Sequence, residues 1–90
     1  MIPAEIRQQL RDSALDKLAR RPAYALPLDT LRRFIDRARD VEGAFAIEDL
    51  LDALAFLEGY GFVRQVRRPL SGLHDWQATS EGVAFWEGNR

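Results

Sequence analysis

Apolar residues recur at helical spacing along most of this chain. Over residues 3–20, Ile6, Leu10, Ala14 and Leu18, helped by Leu15, fall on one stripe and predict an amphipathic helix. Pro3 suits a first helical position, where its missing N–H costs nothing. Asp16 and Arg20 form a favourable i,i+4 pair, and Pro22 ends the element. Residues 23–28 read as a connector or as a strand of one or two pairs. Asp29 then stands where a helix N-cap belongs, and Leu31, Phe34, Ile35 and Ala38 repeat the i, i+3, i+4, i+7 pattern. Residues 40–45 contain Gly43 and predict a loop. A third helix over 46–58 places Ile47, Leu50, Leu51, Leu54 and Leu57 within one arc at about 100° per residue, with Gly59 at its C′ position.

The pattern then changes. Residues 62–68 and 73–78 predict two strands, and residues 69–72 the turn between them. Phe62, Arg64, Val66 and Arg68 share a face of the first strand, so apolar and polar positions alternate poorly and the ribbon is expected to stand partly in solvent. Thr79 is placed to cap a last short helix that has Glu81 in its first turn and Val83, Phe85 and Trp86 as apolar content. The element order predicted is helix, helix, helix, hairpin, helix, in one α+β domain over residues 1–90.

Composition narrows what such a domain does. Ninety residues with 13 basic and 14 acidic groups carry a net charge of −1, which excludes a strongly basic nucleic-acid domain as a description of the whole chain. A hydrophobic content of 47% and two tryptophans exclude a disordered chain. A chain this short buries roughly 60–65% of its unfolded surface, so a partner or a second copy would add to a small core. The absence of cysteine removes disulfides, thiolate nucleophiles and cysteine-ligated zinc. No apolar run approaches the roughly 20 residues of a membrane span, and residues 1–5 lack the pattern of a signal peptide, so a cytoplasmic location without a membrane partner is expected.

Residues 47–63, IEDLLDALAFLEGYGFV, resemble the recognition helix and following strand of winged helix-turn-helix proteins of the MarR, ArsR and PadR type. Leu57-Glu58-Gly59-Tyr60-Gly61-Phe62-Val63 matches the Leu-Glu-x-x-Gly-Leu-Val ending of that helix. Residues 76–82, Trp-Gln-Ala-Thr-Ser-Glu-Gly, resemble the Tyr-x-Leu-Thr-x-x-Gly that follows the wing. The likeness covers about residues 28–84, and size with the segment 68–76 also resembles small winged-helix proteins of Mu-like prophages. It implies a small winged helix: three helices, a two- or three-stranded wing hairpin and a short C-terminal helix. It further implies a homodimer acting in transcription regulation, with the third helix in the major groove of double-stranded DNA and the wing beside the backbone.

The residues complicate that implication. The third helix's outer face, opposite its apolar arc, is centred on Asp49, Asp52 and Phe56 and flanked by Glu48 and Ala53, and carboxylates repel phosphates. Residues 1–39 carry nine basic and five acidic groups, residues 40–59 six acidic and no basic ones, and residues 60–90 four basic and three acidic ones. DNA contact would therefore fall to Arg32, Arg33 and Arg37, with Arg39, on the second helix and to Arg64, Arg67 and Arg68 on the wing, a patch without nearby acids. Such a footprint holds phosphates and reads few bases. Each cluster also has a plainer reading, as a solvated helix face or a charged hairpin edge. Phe56 beside Asp49 and Asp52 reads either as a protein interface or as a ring covered by the first helix or the wing.

Catalysis is not expected. His74 and Asp75 point to opposite faces of a strand, no nucleophile elbow accompanies Ser71 or Ser80, and one histidine makes no transition-metal site. No cofactor is implied. The function expected first is a DNA-binding or DNA-associated regulator; the alternative is a protein–protein interaction module that binds no DNA and whose acidic third helix docks a basic protein partner.

Overall fold

The computed structural model describes residues 2–71 and 73–89. Four helices, α1 (Ala4–Ala19), α2 (Leu28–Ala38), α3 (Ile47–Gly59) and α4 (Ser80–Gly88), accompany an antiparallel hairpin of β1 (Val63–Arg67) and β2 (His74–Ala78). The architecture is α+β, with the element order predicted by the periodicity. The turn expected over 69–72 includes Gly72, which lies outside the described residues.

The helix α1 forms because its apolar stripe has something to cover on every side. It packs against α2, α3, α4 and β2, and Leu10, Ala14 and Leu18 are fully buried. Ile6, near its start, is only half-buried. Pro3 is the N-cap rather than the first helical residue. In α2, Leu31 and Ile35 enter the core, but Ala38 in the last turn is exposed. Its N-cap is Pro27, so Asp29 sits inside the first turn, where the helix dipole favours an acid, rather than capping it.

The expected one- or two-pair connector is present as a single bridge. Leu26 and Trp76 exchange both backbone hydrogen bonds, at 2.7 and 2.8 Å, which lays residue 26 along the edge of β2. Val63, Trp76 and Ala78 are the inward residues of the hairpin. The register pairs Val63 with Ala78, Gln65 with Trp76 and Arg67 with His74 on one face, and Arg64 with Gln77 and Val66 with Asp75 on the other.

The two motif segments meet at a joint. At the end of α3, Gly61 rather than Gly59 takes the left-handed conformation, with φ +77°. The Phe62 N–H donates to the Leu57 carbonyl and the Gly61 N–H to that of Glu58, a Schellman closure that places Tyr60 at the C-cap. Thr79 caps α4 as expected: its Oγ1 accepts from the Gly82 N–H at 3.0 Å and donates to the Gly61 carbonyl. The Thr79 N–H donates to the Phe62 carbonyl at 3.0 Å. A Cβ on Gly82 would lie 2.0 Å from that carbonyl oxygen, so only glycine fits.

Candidate functional site

The helix α3 is rotated from the expected register. Leu50, Ala53, Leu54 and Leu57 are buried, while Leu51 is 39% exposed. The buried arc is thus turned by roughly 50° from the one centred on the five large apolar residues, at about 100° per residue. The reason is the neighbour. α1 is the helix most closely packed on α3, and Ala53, the small residue, lies on the inward arc while the bulkier Leu51 is left at the rim.

This rotation rewrites the outer face. Asp49 is not part of it: its carboxylate accepts from the Ala46 N–H at 2.8 Å and closes the first turn. Ala46 has no side-chain acceptor to return the bond, so only half of a capping box forms. Ala53 is buried rather than flanking the face. Glu48, Leu51, Asp52, Ala55, Phe56 and Glu58 are the exposed side chains, and Glu58 accepts from Gln65 Nε2. Among the described residues, neither Glu48 nor Asp52 has a cation or a hydrogen-bond donor against it.

Phe56 is covered in part by the first helix and open in part. The Arg11 guanidinium of α1 lies 3.5 Å from its ring centroid, yet the residue remains 39% exposed. The Arg11 Nε is buried there without an acceptor among the described residues. From Phe56 an aromatic run continues through Tyr60 (5.1 Å), Phe62 (5.7 Å from Tyr60) and Phe85 (4.5 Å from Phe62). Tyr60 and Phe85 are exposed, so the run edges α3 with an apolar margin that reaches α4. No periodicity within a single element marks it, because its members come from α3, the following turn and α4.

The hairpin arginines do not make the acid-free patch expected of them. Arg68 is paired with Asp75 at 2.7 Å, and this bond raises its already high pKa. Arg64 donates two hydrogen bonds to Gln77 Oε1, at 3.1 and 2.7 Å, across the strand pair. Arg67 stands on the opposite face beside His74 and has no carboxylate partner among the described residues. Linear proximity in sequence missed the cross-strand Asp75, which the antiparallel register brings close.

The arginines of α2 divide likewise. Arg32 donates to the Phe45 carbonyl at 2.9 Å and lies near Asp36, fixing the loop before α3. Arg33 meets Asp29 at 3.4 Å on the exposed face. Arg37 and Arg39 have no acidic partner among the described residues. Arg37 opens onto a cleft of about 470 Å³ between the C-terminal ends of α1 and α2. Arg21 also lines this cleft, its guanidinium 4.6 Å from the Phe34 ring.

Beside the cleft, Lys17 is buried and bonds to Asp16 at 2.8 Å and Asp40 at 2.6 Å, while Ser13 donates to Asp40. Burial disfavours the charge on both Asp16 and Lys17, but their pairing outweighs it. Hydrogen bonds from Lys17, Trp86 Nε1 and Arg20, with the Lys17 charge, hold Asp16 below the usual carboxylate value. Hydrogen bonds and charges of Asp16 and Asp40 hold Lys17 above the usual ammonium value. The two acids of the cleft are therefore occupied by Lys17 and Arg20, leaving Arg21 and Arg37 in surplus.

A larger groove, of about 700 Å³, between α1 and α4 has polar groups engaged, by Gln8 with Asp12 and by Trp86 with Asp16. No group of three metal-ligating side chains occurs among the described residues, and no helix among them is long and apolar enough to cross a membrane. His74 and Asp75 lie on opposite faces of β2. No protein-family model matches the chain, and neither a curated protein nor a solved structure matches it.

Proposed function

We propose that this chain is a winged-helix domain without enzymatic activity that works as a protein-contact module, docking a basic partner on the outer face of α3. The winged-helix reading is supported by the order of elements, by the Leu26–Trp76 bridge that gives the hairpin a third edge, and by the joint between the two motif segments. Resemblance to MarR, ArsR and PadR proteins rests on the same segments, 57–63 and 76–82.

One observation carries the functional reading. Among the described residues, Glu48 and Asp52 are exposed and unpaired beside the apolar Leu51, Ala55 and Phe56. Such a face offers no hydrogen-bond donor to a base edge and repels phosphate, but it suits a cationic amphipathic segment. The test uses a fluorescent Lys/Arg-rich amphipathic peptide as the probe. Asp52→Arg and Phe56→Ala each weaken its binding by at least about tenfold, which is about 1.4 kcal/mol, while Arg64, Arg67 and Arg68 changed together to Ala leave it within about twofold, the scale of exposed, screened charges. Equal affinity in all variants would remove α3 from the contact.

A second reading, a DNA-associated regulator, is favoured by Arg67, Arg37 and Arg39, which have no acidic partner among the described residues. Phosphate contact through them would bind double-stranded DNA with a salt slope of about 0.9 per phosphate. The triple Ala change on the hairpin would lower that slope.

A further inference from the structure

The cleft between α1 and α2 is the counterpart of the α3 face. Four cations and two acids line it, and the acids are already bonded to Lys17 and Arg20. Among the described residues Arg21 and Arg37 have no carboxylate partner, and they are flanked by the half-buried Phe34 ring and the exposed Ala38. The α3 face has the reverse make-up: among the described residues Glu48 and Asp52 have no cation against them, and Leu51, Ala55 and Phe56 are exposed beside them. Glu48 and Asp52 are four residues apart, so their carboxylates stand one helical turn apart on one side of α3. Arg37 lies three residues after Phe34, which puts cation and ring on one side of α2.

From this match we infer that the partner of the α3 face is a second copy of this chain, which inserts Glu48 and Asp52 between Arg21 and Arg37 of its neighbour. The inference rests on the proposal that α3 docks a basic surface and names that surface. The two faces sit on different elements and share no residue, so the contact is heterologous: each copy leaves one face of each kind open, and association continues past two chains unless a ring closes. Because the contact is made by opposite charges at the surface, it weakens as salt rises.

Sedimentation of the full chain, from micromolar to near-millimolar concentration at low salt, reads the contact directly. The wild type is expected to gain mass with concentration, pass beyond a dimer and return to a monomer at high salt. Glu48→Arg with Asp52→Arg, and separately Arg21→Glu with Arg37→Glu, each remove association by at least about tenfold, since each sets like charges together. These side chains are exposed, and circular dichroism is expected to show an unchanged fold for both. Mixed in equal amounts, the two double variants associate again, because the reversed α3 face of one now meets the reversed cleft of the other. A wild type that stays monomeric overturns the inference, as does a mixture that fails to associate or an assembly indifferent to the reversals. If the wild type is monomeric and yet binds the basic peptide through α3, the self-contact alone fails. If it does neither, the proposed function fails with it.

Discussion

At the residue scale, the clearest constraint is Gly82. Its Cβ-free backbone lets the first turn of α4 rest on the Phe62 carbonyl, at a separation that admits no side-chain carbon. Gly82→Ala must part α4 from the end of α3, and a destabilisation of about 3 kcal/mol or more is expected in urea unfolding, since backbone cannot yield as a side chain can. The Asp16–Lys17–Asp40 group sets a pH dependence. Asp16 titrates below its ordinary value in the folded chain, so its stabilising contribution is complete above the unfolded carboxylate range and is lost as pH falls through that range to the lower folded value. Lys17 titrates above its ordinary value, so its contribution is complete below the unfolded ammonium pKa and is lost as pH rises past it to the higher folded one. Thermal unfolding is therefore expected to show a plateau that falls off at both extremes, and Asp16→Asn is expected to flatten the acid limb. The sequence disclosed Thr79 as a cap because capping is local. It did not disclose the partners of Lys17, because Asp40 lies 23 residues away and only packing brings it close.

At the element scale, helices were legible because their burial is periodic, and their registers were less so. The stripe of α1 was read correctly from Leu10 to Leu18, since α1 is covered on several sides and its largest residues face inward. α3 was read with the wrong rotation. Hydrophobicity alone ranks Leu51 above Ala53, but close approach to α1 goes with the small residue facing in. Leu54 is buried in either register, and Leu54→Ala is expected to cost on the order of 2–5 kcal/mol in chemical denaturation. Leu51→Ala separates the two registers: as a rim residue it is expected to cost under about 1 kcal/mol, where a core leucine would cost 2 or more. The hairpin's limits were legible from its turn, whereas the Arg68–Asp75 pair depends on antiparallel register, which the poor alternation of residues 62–68 left undetermined.

At the scale of the whole molecule, a net charge of −1 conceals a separation. Residues 1–39 are net +4 and residues 40–59 net −6, and folding consumes part of each in internal pairs such as Lys17 with Asp40. Among the described residues, the groups left unpaired include Glu48 and Asp52 on an apolar-edged α3 and Arg21 and Arg37 in the cleft between α1 and α2. The acids of α3 were visible in the sequence. That Glu48 and Asp52 form no ion pair among the described residues was not, because it depends on where the nine preceding basic residues fall in the fold. In the proposed function α3 meets a cationic protein surface rather than a duplex. Fluorescence anisotropy distinguishes the two, with a labelled basic amphipathic peptide and a labelled random duplex titrated side by side at low salt. The peptide is expected to bind, Asp52→Arg to abolish its binding, and the duplex not to bind. Duplex binding with a steep salt slope, lost when Arg64, Arg67 and Arg68 become Ala and untouched by Asp52→Arg, would contradict the proposed function.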